Sequence, residues 1–139
     1  MTSPDHPWVG SANIILNDEG HILLMKRSKE SVTYPDTWGL VGGFIDWGET
    51  AAEAAKREAL EEIGVEIEVE KFIGRYYNTV SPKKGIIISL PHYSKILSGT
   101  PRPAQPEECS DVRWFKPEEA RDMDLAYDHK QILKDEGLI

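Results

Sequence analysis

An α/β fold, a mixed β-sheet sandwiched between α-helices, is what this chain predicts, and three observations carry that expectation. Short apolar and β-branched runs, such as WVGSANIIL at 8–16 and ILLM at 22–25, read as strands bounded by turn-forming clusters. Residues 50–63 instead show helical periodicity with clear start and stop residues. Further strand-like runs follow before two short helical segments close the chain, an order suited to a sheet with helices packed on it.

Each element has a local reason. The strands at 8–16 and 22–25 are joined by Asn17-Asp18-Glu19-Gly20, which predicts a β-hairpin. Residues 26–37 are polar and end in Tyr34-Pro35-Asp36, a loop signature. The stretch 38–45, WGLVGGFI, is apolar but holds three glycines, so it reads as extended chain approached closely by something else. The helix at 50–63 has Glu49 or Thr50 near its start and Gly64 as its stop. Residues 66–78 and 85–97 read as two strands around the turn Ser81-Pro82-Lys83-Lys84-Gly85. Pro101, Pro103 and Pro106 make 98–109 a surface loop. Asp111–Phe115 is then a short strand, and Pro117–Arg121 and Tyr127–Asp135 are short helices. No repeat or composition break appears, so residues 1–139 are expected to form one domain.

Composition narrows the function classes. The chain carries 16 Lys plus Arg against 24 Asp plus Glu, a net charge of −8. That balance argues against nonspecific binding to nucleic acid or an anionic membrane, either of which needs a basic face. Cys109 is the single cysteine, so neither an internal disulfide nor a cysteine-based zinc site is available. The N-terminal residues lack a basic segment followed by an apolar one, and no apolar run approaches membrane-spanning length. A cytoplasmic protein is the expectation.

The helix at 50–63 carries the chemistry. Ala52, Ala55, Ala59 and Ile63 fall on one apolar stripe that should pack on the sheet. Glu58, Glu61 and Glu62 converge on a neighbouring face, with Ala51 and Ala54 above them expected to leave open space. An arbitrary glutamate run is normally a solvated face. Here the carboxylates repel at i,i+4 and face the negative end of the helix dipole, each effect costing about 0.2–0.5 kcal/mol, and no lysine offsets Glu61 or Glu62. A divalent cation would reverse the sign, and hard oxygen ligands suit Mg²⁺ or Mn²⁺. Gly42 and Gly43 precede the helix and let bare backbone approach a ligand. Arg57 is placed to tie helix to loop through Glu49.

From Gly43 to Val65 the chain reads GFIDWGETAAEAAKREALEEIGV. This resembles the Nudix box: a glycine, Glu49, then Arg57-Glu58, Glu61-Glu62, Gly64 and an apolar residue at the family's spacing, with Ala59 smaller than the usual aliphatic. The hairpin ending in Lys26-Arg27, the WGLVGG approach, the VRWF strand and the closing helix extend the resemblance over most of the chain. It implies the Nudix fold and a pyrophosphohydrolase that cleaves the diphosphate of a nucleoside diphosphate derivative, using Mg²⁺ or Mn²⁺.

By resemblance, Glu58, Glu61 and Glu62 are metal ligands, joined by the Gly42 carbonyl. The general base is Glu58 or a loop carboxylate, Glu107 or Glu108, and Glu108 and Arg57 are catalytic candidates. Arg27 is implied in contacting substrate phosphate, with a plain surface arginine as the alternative. Gly42, Gly43 and Trp47 complete the substrate-binding set. Trp8, Tyr34, Trp38, Phe44, Tyr76 and Tyr77 are further stacking candidates, although aromatics at strand positions are most often core. His129 reads as a structural helix residue. Residues outside the box choose the substrate. Pro82 stands 17 residues after Val65, slightly farther than the proline of ADP-ribose-hydrolysing members, and the LAYDHKQIL tail resembles theirs. ADP-ribose or a nucleotide sugar is favoured, with NTP or modified-NTP cleavage second and a noncatalytic nucleotide sensor third. Family members are often homodimers, and the expected partner is a small nucleotide.

Overall fold

The computed structural model describes residues 6–139. Its elements run in the order β1 (Trp8–Ile15), β2 (Ile22–Arg27), β3 (Trp38–Phe44), α1 (Ala51–Ile63), β4 (Glu66–Phe72), β5 (Tyr77–Ser81), β6 (Gly85–Ser98), β7 (Cys109–Phe115), α2 (Pro117–Arg121) and α3 (His129–Asp135). The strands form one seven-stranded sheet ordered β4-β6-β1-β3-β2-β7, with β5 also paired to β6. β1 and β6 run parallel while the other pairs are antiparallel, which is the mixed sheet expected.

Alternation along the central strands sends side chains to two separate cores. Ile15, Leu23, Met25 and Val41 meet Ala55, Ala59 and Ile63 of α1 on one face. Ile14, Ile22, Leu24 and Leu40 meet Ala120 of α2 and Ile132 and Leu133 of α3 on the other. Neighbours in sequence thus face opposite layers, and the sheet lies between helices. Among the described residues no helix is long and apolar enough to cross a membrane.

Two expectations about strands are corrected. β1 and β2 are not hairpin partners, for beyond a single bridge at Leu16–Ile22 they splay apart and β3 inserts between them. The turn itself forms, with Asn17 Oδ1 accepting from the Glu19 and His21 N–H groups at 3.0 and 2.9 Å. β3 can insert because its glycines allow close approach to a neighbour. A Cβ on Gly42 would lie 2.0 Å from the Ser11 carbonyl oxygen, so only glycine lets the strands meet there. Second, the run 66–78 is broken after Phe72, where Gly74 at φ +91° turns the chain, and β5 then extends to Ser81.

His129 at the start of α3 anchors this helix to β3. Its ring is buried, and Nδ1 accepts the Leu40 N–H at 3.0 Å. A Cβ on Gly39 would lie 2.9 Å from that nitrogen, so ring and strand fit only with glycine opposite. Burial, helped by the Arg27 charge, pushes the imidazole down to about 3.

Two outcomes follow for stability. Gly42→Ala should destabilise by about 3 kcal/mol, the upper end of overpacking penalties, because the clash is with backbone. Urea unfolding with an unchanged midpoint would contradict this packing. For His129 the folded pKa lies below the unfolded value of about 6.5, so the unfolded chain binds the proton first. Its contribution is complete above pH 6.5 and is lost as pH falls toward 3, by up to about 1.4 kcal/mol per pH unit. His129→Asn should flatten that part of the stability–pH curve, and equal slopes for both proteins between pH 7 and 4.5 would contradict the buried neutral ring.

Candidate active site

α1 begins and ends where its caps dictate. Thr50 Oγ1 accepts the Glu53 N–H at 3.1 Å while Glu53 Oε1 accepts the Thr50 N–H at 2.9 Å, a reciprocal capping box. Gly64 closes the helix in the left-handed region at φ +71° and donates its N–H to the Leu60 carbonyl at 3.2 Å. These ends set which way each glutamate points.

The apolar stripe keeps three of its four expected members and widens to take in Ala54. Ala54, Ala55, Ala59 and Ile63 are buried, and Ala52 is only half-buried. Ala54 therefore packs against protein and leaves no open space above the carboxylates. The widened face also takes in Glu62, leaving it 8% exposed, while Glu61 is turned outward. Glu58 lies between them against β3, so close that a Cβ on Gly43 would fall 2.5 Å from its carboxyl carbon. Gly43 is the place where strand and helix side chain require a missing Cβ.

Arg57 ties the helix to its approach loop as expected. Its Nε donates to Glu49 Oε2 at 2.6 Å, and its Nη2 to Glu49 Oε1 at 2.9 Å and to the Phe44 carbonyl at 3.2 Å. Its Nη1 reaches Glu58 at 2.8 Å and Glu61 at 3.5 Å. The arginine thus offsets Glu61 at i+4, a pairing the search for lysines missed. Hydrogen bonds from Arg57 and from the Asp46 N–H hold the Glu49 carboxyl down to about 2.

A cavity of about 340 Å³ opens beside this helix. Arg27, Gly42, Gly43, Glu58, Glu62 and Glu108, all singled out in the sequence, line it together. Arg57, Glu61 and Trp47 do not. Arg57 braces the wall from behind, and Glu61 sits on the solvent side of α1. Trp47 is 96% exposed on the loop before α1, because the turn at Gly48, φ +89°, projects it away from the protein. Of the loop pair, Glu108 lines the cavity, whereas Glu107 offers its backbone carbonyl to the Ser28 hydroxyl at 2.7 Å.

The electrostatics centre on Glu62. Burial raises its carboxyl far above the usual range, a hydrogen bond with Glu58 and the nearby Glu58 and Glu108 charges add to this, and Arg27 opposes it. Without a cation the neutral form of Glu62 is favoured. This donor set, hard oxygens with an excess of negative charge, fits a divalent cation. Among the described residues no three carboxylate, histidine or cysteine side chains are already gathered into a metal cage.

On the opposite wall Arg27, Trp8 and Phe44 were candidates from the sequence, and Tyr127 was missed. Tyr127 lines the cavity at φ +52° and lies under the Arg27 guanidinium, 5.2 Å from ring centroid to Cζ. Arg27 is pinned by the Thr33 carbonyl at 2.8 Å and the Thr33 hydroxyl at 3.0 Å, and that hydroxyl also meets the Tyr127 hydroxyl. Trp8 and Phe44 form a second aromatic wall with centroids 5.0 Å apart. The other stacking candidates lie elsewhere: Trp38 packs edge-on against Phe115, and Tyr77 bonds Asp135 and Arg75. Tyr34 and Tyr76 do not line the cavity. A positive φ cannot be read from a Tyr-Asp-His sequence, so Tyr127 gave no signal.

The family profile described as the NUDIX domain matches residues 6–135. The chain is 31% identical over 130 residues to a protein of Methanocaldococcus jannaschii named ADP-ribose pyrophosphatase, covering 94% of this chain and 73% of that protein. It is 43% identical over 67 residues to a putative 8-oxo-dGTP diphosphatase of Bacillus subtilis, 48% of this chain and 42% of that protein. The crystal structure of a MutT NUDIX hydrolase from Burkholderia pseudomallei superposes with a TM-score of 0.78 at 27% identity, covering 94% of this chain and 98% of that one. With the family profile spanning nearly the whole chain, the protein belongs to the Nudix family and is a Nudix hydrolase.

Proposed function

We propose that the cavity beside α1 hydrolyses the diphosphate linkage of a nucleoside diphosphate derivative, with ADP-ribose or a nucleotide sugar as the favoured substrate. The observation that carries this reading is the buried Glu62 beside Glu58 and Glu108, with Arg27 lining the same cavity. Acidic groups that repel one another beside an arginine match a substrate whose phosphates bring cations with them.

Glu58 and Glu62 would hold Mg²⁺ or Mn²⁺ from within the cavity, with the Gly42 carbonyl beside them and Glu61 at its outer edge. When bound, such an ion neutralises diphosphate oxygens and lowers the pKa of water. Arg57 keeps Glu58 oriented through its bonds to Glu49 and the Phe44 carbonyl. Arg27, fixed by Thr33 and stacked on Tyr127, presents its remaining N–H groups to a phosphate. Glu108 is the loop carboxylate positioned to take a proton from the attacking water, with Glu58 as the alternative base. Positioning and charge neutralisation account for most of phosphoryl-transfer catalysis, so this set is chemically sufficient.

The substrate preference rests on the Methanocaldococcus relative and on the tail and Pro82 of this chain. Pro82 sits in the β5–β6 turn and lines a shallow recess with Val32 and Tyr34. NTP cleavage remains the second reading, supported by the Bacillus relative, which matches less of the chain.

A product-resolved assay with Mg²⁺ and separately Mn²⁺ tests the proposal. ADP-ribose should give AMP and ribose 5-phosphate. Pyrophosphate released from an NTP as the dominant product would replace the substrate assignment, and tight binding with no product would indicate a sensor. Glu62→Gln should lower turnover roughly hundredfold or more while leaving the metal-free protein at least as stable, because an amide needs no protonation to be buried there. Glu108→Gln should lower kcat by about 10²-fold or more with Glu107→Gln close to wild type. Near-normal turnover in both loop variants would hand the proton to Glu58.

A further inference from the structure

Lys84 was visible in the sequence only as part of a turn, and its place in the structure is unexpected. β6 runs parallel to β1 with Ile87 beside Trp8, so the turn just before β6 folds over the start of β1. Gly85 at φ +72° and a Ser81 hydroxyl that accepts the Lys83 N–H shape this turn. The Lys84 ammonium lies 3.6 Å from the centroid of the Trp8 ring and 5.5 Å from that of Phe44. It lines the same cavity as Arg27, and among the described residues neither cation has a carboxylate within 4.0 Å.

A planar base stacks about as far from an aromatic ring as this ammonium now lies, so lysine and base compete for one face. The ammonium also carries charge that an aromatic face balances only weakly. An arriving nucleotide offers both things at once: a base for the ring and a phosphate for the displaced amine.

We propose that Lys84 is a specificity-determining residue that covers the Trp8 face in the free protein and moves onto a substrate phosphate when a base stacks there. The inference rests on the reading of the cavity as a nucleoside diphosphate site. It makes the site select for base and phosphate joined in one molecule. A nucleoside alone must displace the lysine and gains nothing in exchange, whereas a nucleoside diphosphate replaces a weak cation–ring contact with a charge-assisted hydrogen bond. Arg27, fixed by Thr33 and Tyr127, has no such freedom and is not part of the exchange.

The experiment compares binding of adenosine and of α,β-methylene-ADP, a diphosphate that resists cleavage, by calorimetry in Mg²⁺ at constant ionic strength. Proteins are the wild type, Lys84→Ala and Lys84→Arg. Removing the ammonium uncovers the ring, so adenosine should bind about two- to fivefold more tightly to Lys84→Ala. The diphosphate should bind roughly tenfold more weakly, through loss of its charged partner. The two affinities therefore move in opposite directions, which a merely structural lysine would not produce, and Lys84→Arg should restore the diphosphate affinity. Adenosine binding that is unchanged or weakened in Lys84→Ala overturns the inference, as does diphosphate binding that does not weaken. A wild-type protein that binds no α,β-methylene-ADP would instead overturn the nucleoside diphosphate reading itself.

Discussion

The absence of two Cβ atoms on β3 is the constraint from which the rest of the structure follows. At Gly42 a side chain would collide with the Ser11 backbone, and at Gly43 with the Glu58 carboxyl. The first contact lets β3 enter between β1 and β2, and the second lets α1 lie close enough for its glutamates to border the cavity. Alanine at position 42 would force the strands apart, and alanine at position 43 would push the Glu58 carboxyl from its place. Gly39 extends the same logic to the other face, where His129 occupies the space a side chain would fill. Both helical layers are thus registered on one glycine-rich strand.

Against that tight packing stands an electrostatic arrangement that works against folding. Glu62 is buried beside two other carboxylates, and its neutral form is favoured by burial before any neighbour is counted. Arg57 relieves Glu49, Glu58 and Glu61 at once but makes no hydrogen bond to Glu62. The fold tolerates this because the capping box, the Gly64 stop and the alanine-rich seam hold α1 regardless of charge. Strain of this kind gathers where a ligand relieves it. A helix assembled for stability alone would carry an apolar residue at position 62.

Periodicity made most of this legible. The apolar runs at 8–16, 22–25 and 38–45 form strands as read, and the caps of α1 lie where Thr50 and Gly64 place them, whereas the division of those runs between two cores appears only in the fold. The box spacing brought Gly42, Gly43, Glu58 and Glu62 into one cavity, together with Arg27 and Glu108. Strand partnership was not legible, since a turn sequence shows that the chain reverses and not whether another strand will enter the gap. The burial of Ala54 ahead of Ala52 was equally hidden, because alanines at 51, 52, 54 and 55 satisfy more than one apolar stripe. Trp47 misled for a related reason: its neighbourhood in sequence is the box, but a glycine at positive φ turns it to solvent.

The cavity divides into two halves with different origins, and that division explains why the reaction class is easier to read than the substrate. The acidic half comes from β3, α1 and the loop bearing Glu108, where spacing along a helix fixes relative positions. The other half is assembled from separate places: Trp8 at the start of β1, Arg27 at the end of β2, Lys84 in the β5–β6 turn and Tyr127 before α3. None of these four is linked to another by a sequence interval that geometry constrains. Turns and chain ends tolerate changes of length and residue that a packed helix does not. One acidic wall can therefore face many different opposite walls, and under the proposed reading the choice of substrate falls to side chains that only the folded chain brings together.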